Sequence, residues 1–376
     1  MSKQNKLLEL PNLANVDLLV AMSPENFAYV SESYILTVEL VRPRHAYAIL
    51  IKDDDPILLV CSIEKYHAQE ESWINDQRYY VEFADNPIEE LAKIIKNKKL
   101  KNNKIGMDLG YLPQKDFQIL SNLLPQTEII DTTDIVASMR SVKSEDEVKH
   151  TESAAKITHS AVIEAMENSR LGETEKIMAD RITTGIINKG SIGSLFTVFA
   201  SGPRTKLAHA QPTDRKPKES EIIRFDVGGT FKSWKSDFAR TYSTGKPTNT
   251  QKEYYKNLKE VQEETINFVR PGITAEDVFL KCKSSFEERN MPFFMPQIGH
   301  SFGIELHEYP MLRPGEKTVI KKGMVFNVEP AGFDKDGMCY HLEDLLVVTD
   351  EGSRILTNGL APKEIPIIGQ PFDNFN

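Results

Sequence analysis

The first third of the chain alternates short apolar runs with amphipathic segments. Short apolar runs rich in β-branched residues predict strands, and apolar residues spaced three and four apart predict helices. The predicted strands are DLLVAM, AYAILI, PILLVC and KIGMDL, and the predicted helices are NPIEELAKIIKN and QKDFQILSNLL. Strands that alternate with helices in this way indicate an α/β domain.

A long helix is predicted after Ser144, because the Ser144 hydroxyl and the Glu147 carboxylate form a capping box for the free amides of a helix start. Further along, two loops repeat one pattern 100 residues apart, RLGET at 170–174 and RPGIT at 270–274. In each, a glycine ends one helix and a threonine caps the next. The repeat suggests an internal duplication of the second part of the chain.

Each copy of this pattern is followed by two strand-like runs that carry acidic residues. Asp226 and Asp237 lie in EIIRFDVGG and SDFARTYSTG, and Glu329 and Glu343 lie in VFNVEPAG and CYHLEDLLVVT. Facing strands place opposite side chains about 5 Å apart, so two such hairpins related by an approximate twofold bring four carboxylates to one point. Because like charges repel at that distance, we expect divalent cations between them.

Two metal ions about 3.5–4 Å apart can share and deprotonate one water near neutral pH and can polarise a carbonyl, which is hydrolytic chemistry. An imidazole often joins such a site, and His300 in GHSFGIELHE is the predicted fifth ligand. The run that includes Asp334 and Asp336 imitates a calcium loop, but its first ligand position is Gly332 and its flanks are strand-like. We therefore reject a calcium site there.

Composition narrows the classes of partner. The chain has 376 residues, which favours two domains, and we place them at 1–137 and 138–376. A net charge of −9 disfavours nucleic acid as a partner.

The sequence also bears on the compartment. No apolar stretch has the length of a signal peptide core or a membrane span, and the three cysteines are too scattered for a disulfide framework. We therefore expect a cytoplasmic protein without a membrane partner.

Other catalytic motifs are missing from the sequence, which has no G-x-S-x-G turn, no Walker loop and no dinucleotide fingerprint. Serine hydrolases and nucleotide-dependent enzymes are thereby excluded. Four of the eight histidines fall outside the acidic segments, and we expect them to be incidental surface residues: His45, His67, His150 and His159.

The acidic and histidine motifs resemble those of the pita-bread metallopeptidases, a family that includes methionine aminopeptidase, aminopeptidase P, prolidase and the related creatinase. The motifs stand in the family's order: Asp226-Val-Gly, Ser-Asp237-Phe-Ala-Arg-Thr-Tyr, Gly-His300, His307-Glu, Val-Glu329-Pro and Leu-Glu343-Asp. The segment before Ser144 is similar to the N-terminal domain of prolidase, aminopeptidase P and creatinase. The resemblance implies an α/β N-terminal domain followed by an α+β pita-bread catalytic domain with an internal pseudo-twofold repeat.

By this resemblance, Asp226 chelates one metal ion, Asp237 and Glu343 bridge two, and His300 with Glu329 completes the other. Glu329 is also the expected proton shuttle. The ions are expected to be Mn²⁺, with Co²⁺ or Zn²⁺ as alternatives, since oxygen-rich sites accept several divalent ions.

Two further histidines match family positions that contact the substrate. His209 matches the histidine that touches the substrate, and His307 matches the one beside the scissile carbonyl. Neutral imidazoles there donate hydrogen bonds to a developing oxyanion or a leaving nitrogen. The resemblance also implies a homodimer. In the first domain Arg42, Arg44 and His45 are interpreted as solvated loop residues rather than contributors to a partner's site.

One position departs from the family pattern. Prolidase and aminopeptidase P commonly carry an arginine two residues before the last glutamate ligand, and this chain has His341 there. An arginine can clamp a carboxylate through two parallel hydrogen bonds, whereas an imidazole offers at most one donor. We therefore expect His341 to take part in substrate binding and to alter specificity.

Three functions remain open on the sequence. The first is a metal-dependent Xaa-Pro peptidase of the prolidase or aminopeptidase P type, in which a metal-bridging hydroxide attacks the bond before proline in a short peptide. The second is a creatinase-like hydrolase of a small metabolite with a C–N bond, and the third is an inactive pita-bread binding module. The intact set of predicted ligands argues against the third, and metal content separates the first two.

Overall fold

The computed structural model describes residues 3–41, 43–98 and 100–372. A boundary between Arg140 and Ser141 divides the chain into two compact units. None of the helices in these described ranges is both long enough and apolar enough to cross a membrane.

The first unit contains one six-stranded sheet in the order β4-β3-β2-β1-β5-β6. Strands β1, β2 and β3 pair antiparallel, whereas β5 joins β1, β6 joins β5 and β4 joins β3 in parallel. The strands are β1 (Leu18–Ala21), β2 (Tyr47–Ile51), β3 (Ile57–Cys61), β4 (Asp76–Tyr80), β5 (Lys104–Met107) and β6 (Glu128–Asp131). The helices are α1 (Lys3–Leu8), α2 (Leu10–Leu13), α3 (Pro24–Ser31), α4 (Leu36–Leu40), α5 (Lys65–Glu71), α6 (Pro87–Lys96), α7 (Gln114–Leu123) and α8 (Thr133–Ser141).

The four strands and two helices predicted from the apolar pattern are confirmed as β1, β2, β3, β5, α6 and α7. In the loop before β2, Arg44 donates to the Glu82 carboxylate and pairs with Glu64, and the His45 side chain is largely buried. Arg44 is thus engaged within its own unit rather than simply solvated. Arg42 lies outside the described residues.

The second unit contains two helix pairs and two main sheets. Its helices are α9 (Glu145–Glu167), α10 (Glu175–Asn188), α11 (Asn249–Phe268) and α12 (Ala275–Glu288). One sheet has the order β10-β8-β7 with β9 beside β8, the other the order β12-β11-β13-β16-β17, and β14 pairs with β15. The strands are β7 (Gly193–Ser201), β8 (Ile222–Phe231), β9 (Trp234–Lys235), β10 (Phe238–Ser243), β11 (His300–Ser301), β12 (Glu308–Met311), β13 (Val325–Val328), β14 (Ala331–Phe333), β15 (Cys339–His341), β16 (Asp344–Val348) and β17 (Ser353–Ile355).

The predicted duplication is visible in the helix caps and in the core. Ser144 and Glu147 form the capping box of α9. Thr174 and Thr274 cap α10 and α12, and the glycines two residues before them have φ values of +97° and +92°, which strongly favour glycine. Residues of α9 and α10 share a core with β8 and β10, and residues of α11 and α12 share a core with β13 and β16.

Two of the four expectations about surface histidines are wrong. The His45 side chain is only 8% exposed, and its Nε2 lies 3.6 Å from Asp116 Oδ2. His159 on α9 is not a surface residue, because its side chain is only 1% exposed and its ring packs on Phe238 at 4.7 Å between centroids. The Asn358 backbone N–H donates to His159 Nδ1 at 3.0 Å. The ring is therefore a core histidine that is bonded through Nδ1, whereas its Nε2 is buried without a hydrogen-bond partner among the described residues. Its helical position among alanines and threonines did not reveal this burial.

Candidate metal centre

The first acidic hairpin is formed by β8 and β10. Asp226 lies in β8 opposite Ala239, and Asp237 directly precedes β10, so the two carboxylates are diagonal neighbours on one face of the sheet. Gly228 in β8 permits the close approach of the backbone at Ser236, since a Cβ at that position would lie 2.3 Å from the Ser236 carbonyl oxygen. The local sequence thus holds both aspartates at the same edge.

The second half supplies Glu329, which follows β13, and Glu343, which precedes β16. Asn327 in β13 bonds to two of the predicted ligands. Its Oδ1 accepts the His300 backbone N–H at 2.7 Å, and its Nδ2 donates to Glu343 Oε1 at 2.8 Å. His300 Nδ1 lies 3.0 Å from the Ser301 carbonyl oxygen, which can only accept. Nδ1 therefore carries the proton, and Nε2 accepts a hydrogen bond from Asn327 Nδ2 at 2.9 Å. A cation between Nε2 and the neighbouring carboxylates would take up the Nε2 lone pair in place of that donor.

The two halves converge on Glu343. Carboxylate oxygens of Asp226, Asp237 and Glu343 all lie within 4.8 Å of one another, and so do ligand atoms of Glu329, His341 and Glu343. His300 Nε2 lies 3.6 Å from Glu329 Oε1 and 3.8 Å from Asp237 Oδ2. The structure thus brings together all five residues predicted as metal ligands.

Electrostatics at this point favour a cation. Burial, followed by the charges of neighbouring carboxylates, raises the pKa of both Asp237 and Glu343 well above the ordinary range. Among the described residues, Asp226 Oδ1, Asp237 Oδ1 and Glu343 Oε2 are buried without a hydrogen-bond donor. A divalent cation would satisfy these oxygens and remove the repulsion, so the donor set fits a metal centre of carboxylates and imidazole.

Glu329 differs from the other carboxylates. Burial alone would raise its pKa, but a hydrogen bond from His341 and the nearby His300 and His307 lower the pKa of Glu329 instead. Its side chain is 19% exposed, whereas that of Asp237 is 7% exposed. Glu329 is therefore the candidate carboxylate with more access to solvent and to a bound molecule.

The three remaining predicted residues lie in different settings. His307 is exposed, and its ring stacks on that of His300 with centroids 3.9 Å apart. His341 is only 4% exposed, and its Nε2 lies 3.4 Å from Glu329 Oε2. His209 is exposed on the loop before β8, and in the described part of the chain no hydrogen bond or ring contact joins it to the other candidates.

Two residues of the centre were missed by the sequence reasoning, Asn327 and Arg224. Each lies two positions before a predicted ligand on its strand, as His341 does relative to Glu343. Side chains two apart on a strand share a face, so a polar residue at that spacing in an otherwise apolar strand is the signal that would have found them.

Comparisons with known proteins agree with this geometry. Residues 149–350 match the model of metallopeptidase family M24, and residues 3–142 match the Creatinase/Prolidase N-terminal domain. The Xaa-Pro dipeptidase of Pyrococcus horikoshii is 27% identical over 357 residues, covering 94% of this chain and 96% of that protein.

Two solved structures show the same fold over nearly the whole chain. The Xaa-Pro dipeptidase from Bacillus anthracis has a TM-score of 0.87 at 23% identity, with 97% of this chain and 99% of that chain covered. The X-Pro aminopeptidase from Thermotoga maritima has a TM-score of 0.84 at 24% identity, with 96% and 100% covered. An α/β N-terminal domain followed by a pita-bread catalytic domain is therefore the architecture of this chain.

Proposed function

The chain belongs to metallopeptidase family M24, and we propose that it cleaves the bond before proline in short peptides. The observation that carries the hydrolytic function is the convergence of Asp226, Asp237 and Glu343, whose buried oxygens need a cation. The preference for proline is supported by relatives that match almost the full length of the chain and are named Xaa-Pro dipeptidase.

The residues proposed to hold two divalent ions are Asp226, Asp237, His300, Glu329 and Glu343. Four carboxylates and one imidazole form an oxygen-rich set, which suits Mn²⁺, with Co²⁺ or Zn²⁺ as alternatives. Divalent ions in such a centre supply Lewis-acid chemistry, because they acidify water and polarise a carbonyl group.

The chain's own residues are proposed to handle the proton and the substrate. Glu329, the more exposed carboxylate, accepts a proton from water and passes it to the leaving nitrogen. His307 stands exposed against the His300 ring, in a position to donate a hydrogen bond to the carbonyl oxygen as it gains charge. His209 is proposed to contact the substrate from its exposed loop.

We also propose a cytoplasmic homodimer. The three cysteines are all free and buried, which fits a reducing compartment, and the homodimer follows the family resemblance. Sedimentation of the purified chain tests the second point, since a single species of monomer mass would contradict it.

A hydrolysis screen tests the function directly. The purified chain, loaded with Mn²⁺ and compared with a chelated control, is offered Leu-Pro, Leu-Ala, a longer peptide with proline second, and creatine. Metal-dependent cleavage of the proline peptides, with Leu-Ala cleaved far more slowly, is the expected result. Cleavage of creatine alone would favour the creatinase-like alternative, and no cleavage by the metal-loaded protein would contradict the proposed specificity.

The same screen separates two peptidase types. Release of proline from Leu-Pro but not from the longer peptide would indicate a dipeptidase, and the reverse would indicate an aminopeptidase. The comparison with Leu-Ala is the matched control, because the two dipeptides share their first residue and differ in the imide bond.

A further inference from the structure

Arg224 in β8 has a buried guanidinium that contacts both the loop before His209 and the His341 ring of the metal centre. Its side chain is only 6% exposed. Nη1 donates to the carbonyl oxygens of Leu207 at 3.2 Å and Ala208 at 2.9 Å, and Nη2 lies 3.5 Å from His341 Nδ1. One side chain thus joins the loop before His209 to a ring that contacts Glu329.

The contact with Arg224 decides which nitrogen of His341 carries the proton. A guanidinium has donors only and does not lose its charge, so the nitrogen facing it must present a lone pair. In a neutral ring that nitrogen is Nδ1, and the proton lies on Nε2. Since Nε2 is 3.4 Å from Glu329 Oε2, the ring then donates its hydrogen bond to that carboxylate.

The His341 backbone is fixed independently. Thr241 Oγ1 accepts the His341 N–H at 2.9 Å and donates to the His341 carbonyl oxygen at 3.0 Å. Thr241 is also the residue that faces Arg224 across the β8–β10 pair. Thr241 therefore fixes the His341 backbone, and the Arg224 guanidinium lies beside the Nδ1 atom of the ring. Together these contacts determine the orientation of the His341 ring.

We propose that Arg224 is a positioning residue that sets the His341 tautomer and holds the loop before His209. Through His341 it orients the Glu329 carboxylate, and through the Leu207 and Ala208 carbonyls it fixes the loop. The loop half of the inference rests on the proposed function, in which His209 contacts the substrate.

The geometry disfavours a different role for His341 as a metal ligand through Nε2. Such a ligand needs its lone pair on Nε2 and its proton on Nδ1. That proton would point towards Asp226 Oδ2, which is 4.0 Å away, while lying against the Arg224 donors. The two roles therefore predict opposite tautomers.

Proton-detected nitrogen NMR of the histidine rings distinguishes them. The full chain is labelled with ¹⁵N-histidine and loaded with Zn²⁺, which is diamagnetic, and the His341 signals are assigned from their loss in His341→Asn. The inference predicts a neutral ring protonated on Nε2 with an unprotonated Nδ1. A ring protonated on Nδ1, or a zinc-bound Nε2, would overturn it.

Two variants extend the test. Arg224→Met should change the His341 tautomer and lower kcat/KM about tenfold or more, as expected for a lost hydrogen bond from a charged group. Arg215→Met is the matched control, because Arg215 donates to Ser201 and Glu221 and not to His341. This variant is expected to leave the His341 signals unchanged.

An unchanged tautomer in folded Arg224→Met would refute the proposal. The ring measurement needs no peptide, so it stands even if the chain does not cleave Xaa-Pro bonds.

Discussion

Arg240 Nη2 donates a hydrogen bond to Asp344 Oδ1 at 2.6 Å, with both side chains almost completely buried. Arg240 lies in β10, three residues after Asp237, and Asp344 directly follows Glu343. The ion pair therefore joins the two acidic hairpins immediately behind the candidate metal ligands. It gives the approximate twofold arrangement a fixed contact between its halves.

Removal of one partner of this pair should be strongly destabilising. Arg240→Met leaves the Asp344 carboxylate buried without its cation, and losing one partner of a buried pair typically costs about 3–5 kcal/mol. Urea unfolding of the chelated protein measures the free energy of unfolding without a contribution from metal binding. The double variant Arg240→Met with Asp344→Leu is the control, and it should recover most of the loss. A single variant as stable as the wild type would show that the pair does not hold the halves together.

A buried histidine should make the protein sensitive to acid. Burial, with a smaller effect of the Arg240 charge, lowers the pKa of His159 from 6.5 to about 3. The neutral ring thus contributes stability that is complete above the unfolded pKa of about 6.5 and is lost as the pH falls towards 3, at about 1.4 kcal/mol per pH unit.

His159→Asn tests this effect, because asparagine retains an acceptor for the Asn358 N–H. The stability advantage of the wild type over the variant should shrink when the pH is lowered from about 7 to about 5. His67→Asn is the control, since the His67 side chain is 44% exposed. A constant difference between wild type and His159→Asn across this range would mean that the ring is not held neutral.

The loop that carries His307 depends on a second buried pair. Lys143 Nζ donates to Glu308 Oε2 at 2.6 Å, and Glu308 Oε1 accepts the N–H groups of Ile304 at 3.0 Å and Glu305 at 3.2 Å. Glu308→Gln should lower both stability and kcat, because the loop loses its anchor and Lys143 loses its counter-ion.

His307→Ala separates catalysis from anchoring at the same loop. It should lower kcat about 10²-fold, as for other lost donors to a developing oxyanion, while stability and metal content stay near wild type. Steady-state kinetics, thermal unfolding and metal analysis of the two variants provide the comparison. Wild-type kcat in folded, metal-loaded His307→Ala would remove His307 from the proposed chemistry.

Strong periodic signals made much of the fold predictable. The central strands β1, β2, β3 and β5 are buried and apolar, and the helix caps of the second unit follow short-range rules. Strand β4 was missed because DQRYY lies at the edge of its sheet, where most of its side chains are at least partly exposed and the sequence need not be apolar. Its identity depends on its pairing with β3, a contact that local sequence does not encode.

The candidate site was predictable where carboxylates interrupt apolar strands, as Asp226, Glu329 and Glu343 do. The supporting residues were not, because Arg224 and Asn327 act through contacts with strands distant in sequence. For His341 the sequence indicated an unusual residue at an important position. Its nearly complete burial against Glu329 comes only from the way the two hairpins converge.

The most direct test of the metal centre is calorimetric titration of the metal-free protein with Mn²⁺. Wild type is expected to bind two ions per chain, and Asp237→Asn is expected to lose binding and activity together while remaining folded. Asp336→Asn, which changes an exposed acidic residue of the nearby turn, is expected to bind like the wild type. Wild-type binding by Asp237→Asn, with loss of binding in Asp336→Asn, would contradict the proposed centre and place the metal in the turn instead.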